Sequence, residues 1–411
     1  MRIALLTLAP PDPRAPGAIP VLLHAQLVGL SERHDVTVVT VAGPETHELD
    51  AVARLAGEGV DVHAAMRRPL QGRSRWARRA RLANAWLEGR WPWRTVWYWQ
   101  PRLQELLDRL ARERSFDVVL AEDNAMGIYR LPADALRVLT EYEVRRPRRI
   151  VPPPPAPRAW PGWAFREADW HRWPAYERDV WGRFDVVQVF TERDAAAIRE
   201  IAPGLGAEVQ VNPFAVALPP EQDDRGRPDT IGFLGNYTHP PNVDAAVWLG
   251  REILPRLRQL RPEARLVIAG PQAPESVRSL AGADVDVLGV VPDAEEFMRS
   301  VAVVVAPIRS GGGMRMKVLH AMALARPVVT TPRGTEGLTT DGRMPPVRVA
   351  DDADAIAAAT ARLLADDESR RALGSAARRF AQEHHSPAAS ARRLEELCSR
   401  SLGLRTGRRA P

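Results

Sequence analysis

The sequence predicts an α/β protein made of two doubly wound units, and three observations predict it. Short apolar runs rich in β-branched residues recur at 2–8, 35–41, 116–121, 137–140 and 185–190, and again at 231–234, 265–269, 285–288 and 301–307. Runs of that length and composition read as buried strands of parallel sheets. Helical patterns stand between them at 19–30, 176–184 and from Asp244, the alternation of a sheet covered on both faces. The polar, proline-rich stretch 213–229 parts the two sets and reads as a linker. At 411 residues the chain is long enough for two units that each bury a core.

Composition narrows the function classes. With 45% hydrophobic and 26% charged residues the chain is globular. The apolar run at its start is only a few residues long before prolines follow, so it reads as neither a signal peptide nor an anchor, and no stretch reaches membrane-spanning length. A cytoplasmic protein is expected, with a peripheral place at the inner membrane face left open. The one cysteine, Cys398, leaves no internal disulfide and no cysteine-rich zinc site. The net charge of +6 favours acidic partners. No nucleic-acid recognition module is found, so nucleic acid is not expected among them.

The first unit, 1–212, opens β-α-β. The loop after its first strand is full of proline and ends on Gly17. Ligands lie beyond the carboxyl ends of strands in such sheets, so Gly17 is either at a ligand edge or a loop glycine. Two further strands end on Glu122-Asp123-Asn124 and on Glu141-Tyr142-Glu143. Polar groups placed there grip substrates, or else cap and turn the chain. Seven arginines and no acid fall in 67–81, and two tryptophan clusters follow, at 86–99 and 160–181. Arginine with indole suits a membrane surface or a greasy substrate. Tryptophans packed onto the first unit are the other reading, and the sequence favours it because no clean amphipathic helix with one basic face can be traced.

The second unit, 230–386, holds the most informative stretch. The apolar run 301–307 stops at Arg309-Ser310, and Gly311, Gly312 and Gly313 then open onto the helix former run 316–325. A strand, a glycine turn and a helix start make an anion site, because the first turn has unpaired N–H groups and partial positive charge. Arg315 and Lys317 sit at that end although the helix dipole disfavours cations there. An anionic ligand resolves the conflict; two solvated basic residues are the alternative. Lys317 is the only lysine, every other basic residue being arginine, which points to a place where a compact ammonium fits and a planar guanidinium does not.

The run Gly235-Asn236 with Pro241-Asn242, LVIAG at 266–270, the segment Leu288 to Asp293, GGGMRMKVLHAMA at 311–323, PVVTT and GTEGL, with FDVVLAEDN, TEYEV and YERDVWGRFDVV in the first half, fall in a known order and spacing. On these motifs the chain resembles the GT-B glycosyltransferases of the retaining family 4 type. The resemblance implies two Rossmann-like doubly wound domains facing across a cleft, with 387–411 as a helix crossing back to the first domain and then a basic tail. It implies hexosyl transfer from a nucleoside diphosphate sugar to a hydroxyl acceptor, polysaccharide, lipid-linked or natural-product, with no metal or other cofactor.

On this resemblance Lys317 and Arg315 stabilise the leaving diphosphate, helped by the amides of Gly312, Gly313 and Met314. Gly235, Asn236, His239 and Gly270 line the donor site, Val290 and Val291 hold the base, His320 lies near the ribose, and Glu336 with Gly337 lies near the sugar or diphosphate. Gly17, Glu122, Glu141 and Tyr142 form the acceptor side. The chain departs from the family where a Glu, seven residues, Glu signature is usual: those positions are Gly312 and His320. Tyr142 stands where a histidine is usual. His320 and His239 also read as structural residues, and a degenerate relative that binds a nucleotide or sugar, or serves as a partner protein, without turnover remains the competing function.

Overall fold

Valine, isoleucine and leucine fill successive positions of the central strands, so both faces of each sheet must be covered and every pairing is parallel. In this computed structural model the described residues are 1–15, 18–43, 45–67, 80, 82–89, 91–145, 150–222, 226–311, 315–340 and 342–408. They form two units, Met1–Asn212 with Ala391–Pro411, and Pro213–Ser390.

The first unit runs β1 (Arg2–Thr7), α1 (Ala18–Ser31), β2 (Asp35–Ala42), α2 (Thr46–Gly57), β3 (Asp61–Met66), α3 (Trp93–Tyr98), α4 (Pro101–Glu113), β4 (Val118–Glu122), β5 (Leu136–Glu141), α5 (Trp160–Trp170), α6 (Trp173–Trp181), β6 (Val186–Val189), α7 (Glu192–Ile201) and β7 (Glu208–Val211). Its sheet has the order β3-β2-β1-β4-β5-β6-β7. The winding reverses between β1 and β4, which makes the carboxyl ends of those two strands the place for a ligand.

The second unit runs β8 (Arg227–Leu234), α8 (Pro240–Trp248), α9 (Leu254–Leu260), β9 (Arg265–Ala269), α10 (Glu275–Arg278), β10 (Val285–Gly289), α11 (Ala294–Ser300), β11 (Val301–Ala306), α12 (Met316–Ala323), β12 (Val328–Thr330), β13 (Arg348–Val349), α13 (Ala353–Ala365) and α14 (Asp367–His385). The order β10-β9-β8-β11-β12-β13 puts its switch point between β8 and β11. The stretch expected as a linker groups with this unit. Phe214, Ala215 and Val216 are buried, and the Val216 N–H donates to the His385 carbonyl at 2.8 Å.

The last helix, α15 (Pro387–Arg408), belongs to the first unit from Ala391 onward. Ala391, Leu394, Leu397 and Cys398 are buried in one cluster with Ile3, Leu5, Leu27 and Val118. Arg33 adds a 3.1 Å ion pair to Glu395.

The strands outside the expected runs are β12, buried but only three residues long, and the edge strands β3, β7 and β13, which are only partly buried or exposed. Without a buried face those edge strands carry no apolar run. The helix expected to reach Ala325 stops at Ala323, because Ala325 adopts φ +56° and ends it in the left-handed region. The helix expected at 176–184 is α6, three residues earlier, with Pro174 in its first turn.

Candidate functional site

At the switch point of the second unit, glycines let three segments close on one another. Gly270 adopts φ +135°, and a Cβ there would stand 1.7 Å from the Gly235 carbonyl oxygen. Only glycine allows the loops after β8 and β9 to touch, and the touch is closed by hydrogen bonds. Gly235 N–H donates to Ala269 O at 3.0 Å, and Gly270 N–H to Gly289 O at 2.6 Å. Gly270→Ala should therefore cost about 3 kcal/mol or more, from clash and backbone strain together. Urea unfolding of the second unit reads this, and a cost below about 1 kcal/mol would mean that the turn relaxes.

The loop after β8 is braced from within. Asn236 Oδ1 accepts from the Thr238 N–H (3.0 Å) and hydroxyl (2.8 Å), and the His239 carbonyl accepts from the Asn242 N–H (2.9 Å). Asn242 Nδ2 donates to Asn236 O at 2.7 Å, which turns its Oδ1 outward from the loop. Lys317, in the first turn of α12, places Nζ 2.6 Å from that oxygen and 4.3 Å above the Phe233 ring. Burial of the ammonium, and next the charge of Arg315, push its pKa down to about 7.

Arg315 precedes α12 and is held by carbonyl acceptors, Nη2 to Gly311 O at 2.9 Å and Nε to Arg333 O at 3.2 Å. Its Nη2 lies 3.7 Å from Glu336, whose other oxygen accepts from Arg333 at 2.6 Å. Gly337 follows at φ +76°. Gly311 (φ +89°) packs against Pro241: an added Cβ would stand 2.9 Å from the proline ring. Thus the loops after β8 and β11 meet, and Lys317, Arg315, Asn236, His239, Gly235, Gly270 and Glu336 stand on one connected set of loops.

Not every expected residue joins that set through a bond. His320 Nε2 lies 3.7 Å from Glu295 of α11. Val290 is 72% exposed beyond β10, and Val291 is partly buried. Gly312, Gly313 and Met314 lie outside the described residues, as does Gly17.

In the first unit the expected polar residues form a buried network at the ends of β4 and β5. Glu122 accepts from Thr140 (2.9 Å) and Tyr142 (3.1 Å). Burial pushes its carboxyl up to about 7, against the opposing hydrogen bonds from Thr140, Gln26 and Tyr142. Burial also pushes the Tyr142 phenol well above its ordinary value. Glu141 accepts from Trp181 Nε1 and Asn124 Nδ2, each at 3.0 Å, and burial raises its pKa too.

Asp123, expected beside Glu122, joins this network, and two further members, Glu177 and Gln26, were not foreseen. Asp123 holds φ +83° and takes Arg94 of α3 at 2.6 Å. Glu177 of α6, raised by burial and by Glu141, accepts from Arg145 at 3.3 Å. Gln26 of α1 reaches Glu122. The YERDV motif contains Glu177, but nothing in a sequence tells which acid of a helix points inward.

Two doubly wound parallel sheets, of seven and six strands, have the architecture of the GT-B fold, the fold of a class of glycosyltransferases. Residues 228–366 match the family Glycosyl transferases group 1. A phosphatidyl-myo-inositol mannosyltransferase of Mycolicibacterium smegmatis is 32% identical over 205 residues, 47% of this chain and 51% of that protein. The chain thus spans about half the length of the curated relative it matches. Among solved structures, Anabaena HepE in complex with UDP and glucose superposes with a TM-score of 0.61 at 14% identity, over 97% of this chain and 99% of that one. Sucrose-phosphate synthase of Thermosynechococcus elongatus gives 0.63 at 14%, over 98% and 100%. Likeness at such identities shows the fold.

Proposed function

We propose that the chain is a retaining glycosyltransferase that moves a hexosyl group from a nucleoside diphosphate sugar to a hydroxyl acceptor. The observation that carries this reading is the Lys317 ammonium, held between Asn242 and the Phe233 ring at the switch point of the second sheet. The match over 228–366 covers that same unit, and HepE, a relative in fold, was crystallised with UDP and with UDP-glucose.

In the reaction the bond from the sugar's anomeric carbon to the phosphate oxygen breaks. A bond from the acceptor oxygen to that carbon forms, and the hydroxyl proton is released. Negative charge grows on the departing diphosphate. Lys317 and Arg315, fixed beforehand by Asn242 and by the Gly311 and Arg333 carbonyls, meet it without reorganising, which is worth a few kcal/mol per contact (about 3). Gly235, Asn236, His239 and Gly270 frame the donor. Val290 and Val291 offer backbone to its base, and Glu336 and Gly337 bound the sugar side. Glu122, Glu141 and Tyr142 serve the acceptor in the first unit.

Calorimetry with UDP- and GDP-sugars, followed by a donor-hydrolysis assay, tests this. Saturable binding with slow hydrolysis is expected. Binding without hydrolysis or transfer to any acceptor would make the chain a sugar-nucleotide binding protein, a reading favoured by Gly312 and His320 at the usual glutamate positions. No binding would overturn both.

A further inference from the structure

An exposed aromatic face of the first unit was not absorbed by this function. Leu87 is 70% exposed, Trp97 44%, Ile150 63%, Val151 47%, Trp160 50% and Phe165 37%. Ring contacts link two of them, Phe165 and Trp97, through the half-buried Trp86 and Trp93: Trp86 to Phe165 at 4.7 Å, Phe165 to Trp93 at 5.7 Å, and Trp93 to Trp97 at 6.5 Å. Trp163 and Trp160 of α5 tie in the preceding segment by donating to Val151 O (2.7 Å) and Pro154 O (2.9 Å). A set of large apolar side chains that is contiguous and outward-facing marks an interaction surface.

Charge around the face is sorted by direction. Glu167 is buried and accepts the Val151 N–H at 3.1 Å, and Asp169 accepts from Trp86 Nε1 (2.8 Å) and the Trp93 N–H (2.6 Å). Both acids of α5 are thus spent inward, while Arg158 and Arg166 are exposed. Glu88 is exposed and takes the Asn84 amide. In sequence, 67–94 and 143–172 hold 16 of the 57 basic residues, ten of them outside the described residues, and four of the 51 acids, so the remainder of the chain carries net negative charge.

We infer that this face docks onto an anionic lipid bilayer, indoles and aliphatic side chains entering the headgroup boundary and arginines pairing with phosphates. Leu87, Ile150 and Val151 decide against nucleic acid, which stacks on rings but gains nothing from aliphatic side chains, whereas a bilayer takes up both. Apolar insertion and electrostatic attraction are the two signals that stable attachment needs.

The face is also joined to the proposed acceptor groups. Helix α3 carries Trp93 and Trp97 on it and sends Arg94 to Asp123, the residue after Glu122. A hydroxyl borne by a lipid would arrive at that edge. This last step, a lipid-linked acceptor, rests on the transferase reading; the docking itself does not.

Flotation of the full chain with phosphatidylcholine vesicles, and with vesicles one part in about three phosphatidylglycerol, tests the inference. At least about tenfold preference for the anionic vesicles is expected, weakened by high salt, with tryptophan fluorescence quenched by brominated acyl chains. The triple variant Leu87→Ser, Trp160→Ala, Phe165→Ser should lose about tenfold or more of this binding while melting and hydrolysing donor as the parent does. Arg158→Gln with Arg166→Gln should lower the preference for anionic lipid. No binding to either vesicle, equal flotation of the triple variant, or capture of RNA alone would overturn it, as would a parent dimer that the triple variant dissolves. Vesicle binding by a chain that takes no sugar nucleotide would instead sink the transferase reading and leave the docking standing.

Discussion

Lys317→Ala is expected to lower turnover by well over about tenfold with the fold intact, and Lys317→Arg to impair it as well. The ammonium fits between the Asn242 amide oxygen and the face of Phe233. A guanidinium is wider, and its fork matches neither partner. Lys317→Met is the better control for stability, since it keeps the stem over Phe233 and removes only the charge and the donor. Parent turnover in either the alanine or the arginine variant would remove the cation from the mechanism.

The same site predicts a pH effect with a definite sign. Without ligand the ammonium's pKa is depressed to about 7 by burial and Arg315. A diphosphate beside it favours the charged form and moves that value back up. Between the two values binding must therefore take up a proton, and affinity for nucleoside diphosphate must fall as pH rises above about 7. Calorimetry in buffers of different ionisation enthalpy measures the uptake directly. A proton count of zero near pH 7.5, set beside Lys317→Met, would show that the ammonium does not face the ligand (pH chosen about half a unit above the free value).

The elements the sequence disclosed are those whose chemistry is local. The continuous apolar runs at β1, β4, β8, β9 and β11 are buried on both faces, and burial on both faces is what makes a run continuous. The lone lysine was legible because it departs from what the rest of the composition allows. The edge strands β3, β7 and β13 escaped, since they bury too little to need an apolar run, whereas the edge strand β10 was legible from its run.

Partnership was illegible. Asn242 stood in a recognised motif, but its role of aiming an amide oxygen at Lys317 depends on a 75-residue separation closed by the fold. The tryptophans divide for the same reason. Trp173 and Trp181 are core, while Trp97 and Trp160 are exposed, and the favoured expectation of packing describes only the first pair.

The second large effect concerns the first unit, whose stability should fall as pH rises through neutrality. Burial pushes the Glu122 carboxyl up from its ordinary 4.5 to about 7 in the fold. Between those values the folded state holds more protons than the unfolded chain, so the stabilisation is complete below about 4.5 and is lost as pH climbs through about 7. Moving one carboxyl that far is worth about 3 kcal/mol across the window. Glu141 and Glu177 are raised in the same direction, and Glu177 Oε2 is buried without a hydrogen-bond partner among the described residues, the setting of a carboxyl kept protonated. Eleven of the twelve tryptophans lie in 76–181, so denaturant unfolding followed by tryptophan fluorescence reports on this unit. Between about pH 5.5 and 8.5 the midpoint should drop, and Glu122→Gln or Glu177→Gln should flatten the slope, because a glutamine cannot lose the proton that the fold prefers to keep. A midpoint that rises over this range, or a slope that both glutamine variants leave unchanged, would mean that these carboxyls are ionised in the native network and that Arg94 and Arg145 neutralise them.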